Sequence, residues 1–252
     1  MPELKTVFWD LDGTLADTEI HGHRVAFNKA FLEAGLDWHW DPDTYCKLLG
    51  IGGGLNRIRA FASSLLVDLS ENEILEIHLC KQDIYTKILS NGQIRLRPGV
   101  KRLTTELCEN GVNQWIVTTS SNTAVQAFME TNFGKARNPF DGFVCGDEVR
   151  LKKPSPEAYL LAIEKSKSKV SDIVVIEDSR IGMCAAIEAN LICLITLPAW
   201  NNGSYKELEL ANSIVNHLGQ ESNLCSVLKG PPCHGGQITL EYLRQLLEVT
   251  PK

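Results

Sequence analysis

Residues 6–19 read Thr-Val-Phe-Trp-Asp-Leu-Asp-Gly-Thr-Leu-Ala-Asp-Thr-Glu, and they set the terms for the rest of the chain. Thr6, Val7, Phe8 and Trp9 make a short, β-prone apolar run, which predicts a buried strand. Asp10 and Asp12 follow at its end, and Gly13-Thr14 gives the chain a place to turn. Two carboxylates one residue apart beside a buried strand are costly unless a cation neutralises them. A divalent metal meets that need, because Mg²⁺ takes oxygen from one or two carboxylates and leaves room for a phosphate. Standing alone, the same string is also an ordinary turn or helix cap.

The chain has 252 residues, enough for one large domain or two smaller ones. Its 44% hydrophobic and 22% charged residues are those of a soluble globular protein. A formal net charge of −6 gives no basic footprint, so no nucleic-acid partner is expected, while local cations and a metal can still serve an anionic substrate. The eight cysteines are scattered and form no Cys-x-x-Cys pair, which argues against a zinc site and against a secreted disulfide scaffold. The N-terminus shows no secretory signal, and no apolar run reaches membrane-spanning length. A cytoplasmic, monomeric protein without membrane association is expected; the chloroplast stroma is the alternative if a transit peptide was removed.

After the opening motif the pattern turns helical. Apolar positions predict an amphipathic helix over 23–36, ending near Gly35. Another helix is expected to start near Pro42, and the run from Gly50 through Gly52, Gly53 and Gly54 reads as a break. Helices are expected again over 56–66 and 70–89, where Ile74, Ile77, Ile84 and Ile88 share a face and Ser70 with Glu73 has the spacing of a capping box. Trp38 and Trp40 read as core residues of this helical segment. From Arg95 onward, strands and helices alternate. That alternation predicts a mostly parallel sheet covered on both faces, with any site at the carboxyl ends of the strands. The fold class is α/β: residues 1–16 and 93–252 form the core, and residues 17–92 an all-helical insertion after the first strand.

Three strand ends carry polar clusters. The strand at 115–117 runs into Thr118-Thr119-Ser120-Ser121-Asn122, where a hydroxyl and helix N-terminal N–H groups can hold phosphate oxygens, or Ser121 or Asn122 simply caps a helix. Lys153 stands before the Pro154-Ser155-Pro156 turn, which fixes its backbone so that its ammonium can be aimed at gathered negative charge. The strand at 173–176 ends in Glu177-Asp178-Ser179, a second acidic strand end that can complete a metal site or start a helix.

Taken together and in this order, the Asp10/Asp12 pair, Thr118, Lys153-Pro154 and Glu177-Asp178 resemble the motifs of the haloacid dehalogenase-like superfamily, over nearly the whole chain. The resemblance implies a Rossmann-like core with a helical cap that closes to exclude water, as in the beta-phosphoglucomutase and phosphoglycolate phosphatase branch. By that likeness Asp10 is the nucleophile that forms an aspartyl-phosphate, and Asp12 the acid and then the base. Asp10, the Asp12 carbonyl, Asp178 and, through water, Glu177 would hold Mg²⁺. Thr118 and Lys153, with Thr119, Ser120 and Asn122 beside them, would bind the transferring phosphate. Members that cleave carbon–halogen bonds lack an acid at the position of Asp12, so a dehalogenase is not expected.

Asp17-Thr18-Glu19, the Gly22-His23-Arg24 stretch and Gly52-Gly53-Gly54 before Arg57 resemble the CbbY proteins. That family dephosphorylates xylulose-1,5-bisphosphate, an inhibitor of Rubisco, in carbon-fixing cells. The likeness implies that Glu19 and His23 touch the sugar, and that the glycine loop with Arg57 meets the far end of the substrate. Leu55 stands where CbbY proteins usually carry a basic residue. A sugar-phosphate mutase with the same residues, and a non-catalytic binding protein on the same fold, are the alternatives.

Overall fold

The computed structural model describes residues 3–134, 138–198 and 206–248. The chain divides into two compact units: one holds Met1–Asp17 with Arg95–Lys252, the other Thr18–Ile94.

The first unit is built on seven strands: β1 (Thr6–Trp9), β2 (Asn113–Val117), β3 (Gly142–Val144), β4 (Ile173–Glu177), β5 (Ile192–Thr196), β6 (Ser213–Val215) and β7 (Val227–Lys229). Their order in the sheet is β3-β2-β1-β4-β5-β6-β7. All neighbours pair in parallel except β6 and β7, which are antiparallel. β1 lies between β2 and β4, at the point where the strand order reverses, and the ends of those three strands frame a crevice by topology alone. β1 and β4 are buried along their whole length, which is why they read as continuous apolar runs rather than alternating ones.

Helices α5 (Val100–Glu109), α6 (Asn122–Asn132), α7 (Glu157–Ser166), α8 (Arg180–Glu188) and α9 (Leu240–Glu248) cover the sheet. One apolar core gathers Phe8, Val117, Val175, Tyr159, Met183 and Leu191. The short strands β6 and β7 carry no periodicity long enough to be legible in the sequence, and the structure adds them to the expected sheet. The sheet as a whole is the mostly parallel one expected.

The second unit contains α1 (Arg24–Glu33), α2 (Pro42–Leu48), α3 (Gly54–Ser64) and α4 (Glu71–Ser90), with one turn of π-helix, Glu19–His23, leading into α1. Gly54 is a correction: it is not part of the break but the first residue of α3. Gly53, at φ 83°, makes the left-handed turn that a side chain disfavours. Ser70 and Glu73 form the expected capping box at the start of α4, each side chain accepting from the other's main-chain N–H. Trp40 is fully buried, with ring centroids 4.6 Å from Phe27 and 4.8 Å from Phe31, and Trp38 packs against Phe31 and Phe61. Trp40 is the core residue read from the sequence, and Trp38 packs half-buried at its edge. Among the described residues no helix is long and apolar enough to cross a membrane.

Candidate active site

β1 delivers Asp10 to the switch point, where its N–H donates to the Ile176 carbonyl of β4 at 2.9 Å. β4 delivers Glu177 and Asp178. The turn before α7 delivers Lys153, whose peptide to Pro154 is cis. The Lys153 ammonium donates to Asp10 Oδ1 at 2.7 Å, Glu177 Oε1 at 2.6 Å and the Val117 carbonyl at 2.7 Å. All three of its protons are therefore used. All of these side chains are buried.

Tyr159 of α7 completes this knot. Its hydroxyl donates to Glu177 Oε1 at 2.6 Å, and its ring centroid lies 5.0 Å from the Lys153 ammonium. Nothing in the sequence singled Tyr159 out, since a tyrosine on an apolar helix face reads as core. Gly182, in the first turn of α8, leaves room for the Glu177 carboxylate: an added Cβ would stand 2.0 Å from it.

Asp10, Glu177 and Asp178 each offer a carboxylate oxygen within 4.8 Å of the others. The Lys153 ammonium contacts two of these three buried carboxylates, Asp10 and Glu177. Burial first, and Glu177 second, push the Asp10 pKa well above its usual 3.8 despite Lys153. Burial works against the Lys153 charge, but Asp10 and Glu177 outweigh it and hold its pKa above the ordinary lysine value. A site of hard oxygen donors with this excess of negative charge fits Mg²⁺ rather than a soft or nitrogen-seeking metal. The Asp12 carboxylate lies outside the group. It accepts from Ser120 Oγ at 2.6 Å, while Thr118 Oγ1 is 3.5 Å away and accepts the Ser120 N–H at 3.1 Å. Thr118 and Ser120 thus turn toward the loop that carries Asp12.

Thr119 and Asn122 stand apart from this cluster. The Thr119 side chain is exposed, and its carbonyl lies where Gly146 leaves no space for a Cβ. The Asn122 N–H donates to the Asp147 carboxylate at 3.3 Å, and Ser121 caps α6. The helix-capping alternative is what this corner displays.

The second unit holds a polar cluster of its own. Tyr45 OH donates to Glu19 Oε2 at 2.5 Å and accepts from Arg57 Nη1 at 3.3 Å, while Arg57 Nε donates to the Ile51 carbonyl at 2.9 Å. His23 is buried, stacks on Tyr85 at 3.8 Å, and has Nδ1 2.7 Å from the Lys81 ammonium. An ammonium only donates, so Nδ1 accepts and the ring proton sits on Nε2. Lys81 is itself 4% exposed, lies 4.9 Å from the rings of both Phe27 and Tyr85, and donates to Gln82. Its signal was present in the sequence: a lysine four residues after Ile77 and three before Ile84, in the middle of the apolar face of α4. Gly54 packs closely, since an added Cβ would meet His78 at 2.8 Å, whereas Gly52 has open space for a Cβ and its carbonyl accepts from Asn56 Nδ2 at 2.9 Å.

The strand-end carboxylates, the lysine and the doubly wound sheet define a hydrolase class, and the comparisons agree. The family described as haloacid dehalogenase-like hydrolase matches residues 4–190, and the chain belongs to it. Within that family it is similar to the protein CbbY of Rhodobacter capsulatus, 36% identical over 80% of this chain and 88% of that protein. Crystal structures of CbbY from Rhodobacter sphaeroides give the same picture. One in complex with phosphate superposes with a TM-score of 0.73 at 36% identity, covering 80% of this chain and 89% of that one. A variant in complex with xylulose-1,5-bisphosphate has a TM-score of 0.77 at 34% identity, covering 87% of this chain and 98% of that one.

Proposed function

We propose that this chain is a Mg²⁺-dependent phosphatase of sugar bisphosphates, that xylulose-1,5-bisphosphate is its substrate, and that it works through an aspartyl-phosphate on Asp10. The observation that carries the proposal is the knot of Asp10, Lys153 and Glu177 at the switch point, with Asp178 beside it. The substrate follows from the similarity to CbbY, one structure of which holds that bisphosphate.

In this reading Asp10 attacks the phosphorus in line. The bond from phosphorus to the sugar oxygen breaks, and Asp12 gives its proton to that oxygen. Asp12, now a carboxylate, takes a proton from water, whose oxygen displaces Asp10 and releases inorganic phosphate. Phosphoryl transfer asks mainly for alignment and charge neutralisation. Lys153 supplies a fixed cation; Thr118 and Ser120 hold the Asp12 side. Asp10, Asp178, the Asp12 carbonyl and, less directly, Glu177 would hold Mg²⁺, which when bound neutralises charge on the phosphoryl oxygens. Glu19, His23, Arg57 and Lys81, together with Gly52, Gly53 and the start of α3 at Gly54, select the sugar bisphosphate.

The experiment is phosphate release with and without Mg²⁺ from xylulose-1,5-bisphosphate, beside ribulose-1,5-bisphosphate, phosphoglycolate and beta-glucose-1-phosphate. Mg²⁺-dependent release, strongest from the xylulose compound and abolished in Asp10→Asn, is the expected result. Preference for another phosphate discards the substrate, and appreciable turnover by Asp10→Asn discards the covalent mechanism.

A further inference from the structure

Arg97 stands where the chain re-enters the first unit, and by sequence it is only the residue before Pro98-Gly99. Its side chain is 6% exposed. Both terminal nitrogens of the guanidinium are used, and all four acceptors are main-chain carbonyls. Nη1 donates to Gly13 and, at 3.0 Å, to Thr196; Nη2 donates to Leu197 and, at 3.3 Å, to Asn216. These carbonyls come from the turn after β1 and from the ends of β5 and β6. The planar fork of an arginine suits such a cage, and a lysine ammonium cannot reproduce it.

Gly13 is the acceptor that matters, because it lies between two residues of the site. It follows Asp12 directly, and at φ 89° it passes so close to Asp178 that an added Cβ would stand 2.0 Å from Asp178 Oδ2. The backbone of Arg97 is fixed to the same turn, its N–H donating to the Leu15 carbonyl at 3.0 Å, and Leu96 pairs with Ala16. We infer that Arg97 is a positioning residue: by gripping the Gly13 carbonyl it fixes the turn that carries Asp12 against Asp178. This rests on the proposed phosphatase reading, in which Asp12 must be aligned with the leaving oxygen.

The molecule contains its own control. Arg102, on α5, also donates to main-chain carbonyls, those of Leu218, Gly219 and Ile238, but makes no contact with the turn after Asp12. The test compares Arg97→Met, Arg97→Lys and Arg102→Met in the full chain with Mg²⁺, measuring kcat, KM, melting temperature and near-UV circular dichroism, with Asp10→Asn assayed alongside. Arg97→Met is expected to lose kcat by about tenfold to a hundredfold with KM within about twofold, the signature of a displaced group rather than a lost substrate contact. Arg97→Lys should lose kcat to a lesser degree, and supplies the answer if Arg97→Met does not fold. Arg102→Met should lower the melting temperature and leave kcat unchanged. Unchanged kcat in the folded Arg97 variants, or equal loss of kcat in the Arg102 variant, overturns the assignment. If instead Asp10→Asn keeps its turnover, the phosphatase reading falls, and that failure is separate.

Discussion

The Ser120 hydroxyl donates to the Asp12 carboxylate at 2.6 Å, across the gap between the ends of β1 and β2. Asp12 is therefore held by a side chain that the family likeness places at the phosphate. Replacing Ser120 by Ala removes one hydrogen bond to a charged group, worth about 1.5–3 kcal/mol. The expected outcome is a fall in kcat of about tenfold with KM little changed, measured by steady-state phosphate release. A rise in KM at constant kcat would return Ser120 to the phosphate.

Among the described residues, Lys153 is the cation in contact with both Asp10 and Glu177. Lys153→Met leaves buried carboxylates unpaired, and breaking such a pair typically costs about 3–5 kcal/mol. The Mg²⁺-free variant should unfold at clearly lower urea concentration than the parent. Acidifying the buffer should narrow the difference, since protonated carboxyls no longer repel one another. Equal urea midpoints at neutral pH would show that Lys153 contributes nothing to the resting protein.

Stability should respond to Mg²⁺ in a pH-dependent way. Burial, and then Glu177, raise the Asp10 pKa in the folded protein well above 3.8. Without metal, the stability that Asp10 contributes is fully present below its unfolded pKa and is lost as pH rises through the folded value. Mg²⁺ needs the deprotonated carboxylate, so the rise in melting temperature that it causes should grow across that window and level off above it. A Mg²⁺ increment that does not change with pH would exclude Asp10 as a ligand.

Lys81 offers a test of the second unit. Lys81→Met keeps the length of the side chain and suits its position between Phe27 and Tyr85. The protein should remain folded, and KM for the sugar bisphosphate should rise by about tenfold or more as a buried cation beside His23 is lost. Unchanged KM would make Lys81 a packing residue.

Cys225 and Cys233 bring their sulfurs within 3.8 Å. Burial, and next to it Cys233, push the Cys225 thiol up to about 12, so the more exposed Cys233 begins any exchange. Under an oxidised dithiol reagent the chain should lose two of its eight thiols and two hydrogens of mass, and Cys233→Ser should lose none. A full set of thiols after equilibration would show that the backbone holds the pair apart.

Much of the fold was legible because the strands that matter are unbroken apolar runs ending in acids. Thr6–Trp9 and Ile173–Glu177 announce both a strand and its chemistry. The capping box at Ser70 and the buried Trp40 were legible for the same reason: each has a local signal. Tyr159 was not, nor was the contact of Ser120 with Asp12, because the partners are distant in sequence and only the sheet order brings them together. The three-residue strands β6 and β7 are too short to show a period. Lys81 had a signal, a charge inside an apolar stripe, that the surrounding isoleucines masked.

The antiparallel pairing of Ala16 with Leu96 has a consequence for what the chain can tolerate. Everything from Thr18 to Ile94 leaves and rejoins the first unit at this one bridge, so to that unit the whole second unit is a loop whose ends are already tied. The entropy of closing such a loop grows only with the logarithm of its length. A shorter, longer or entirely foreign helical segment spliced between the two sides of that bridge should therefore cost the first unit little. The strand ends and their carboxylates can stay fixed while the helical segment is exchanged.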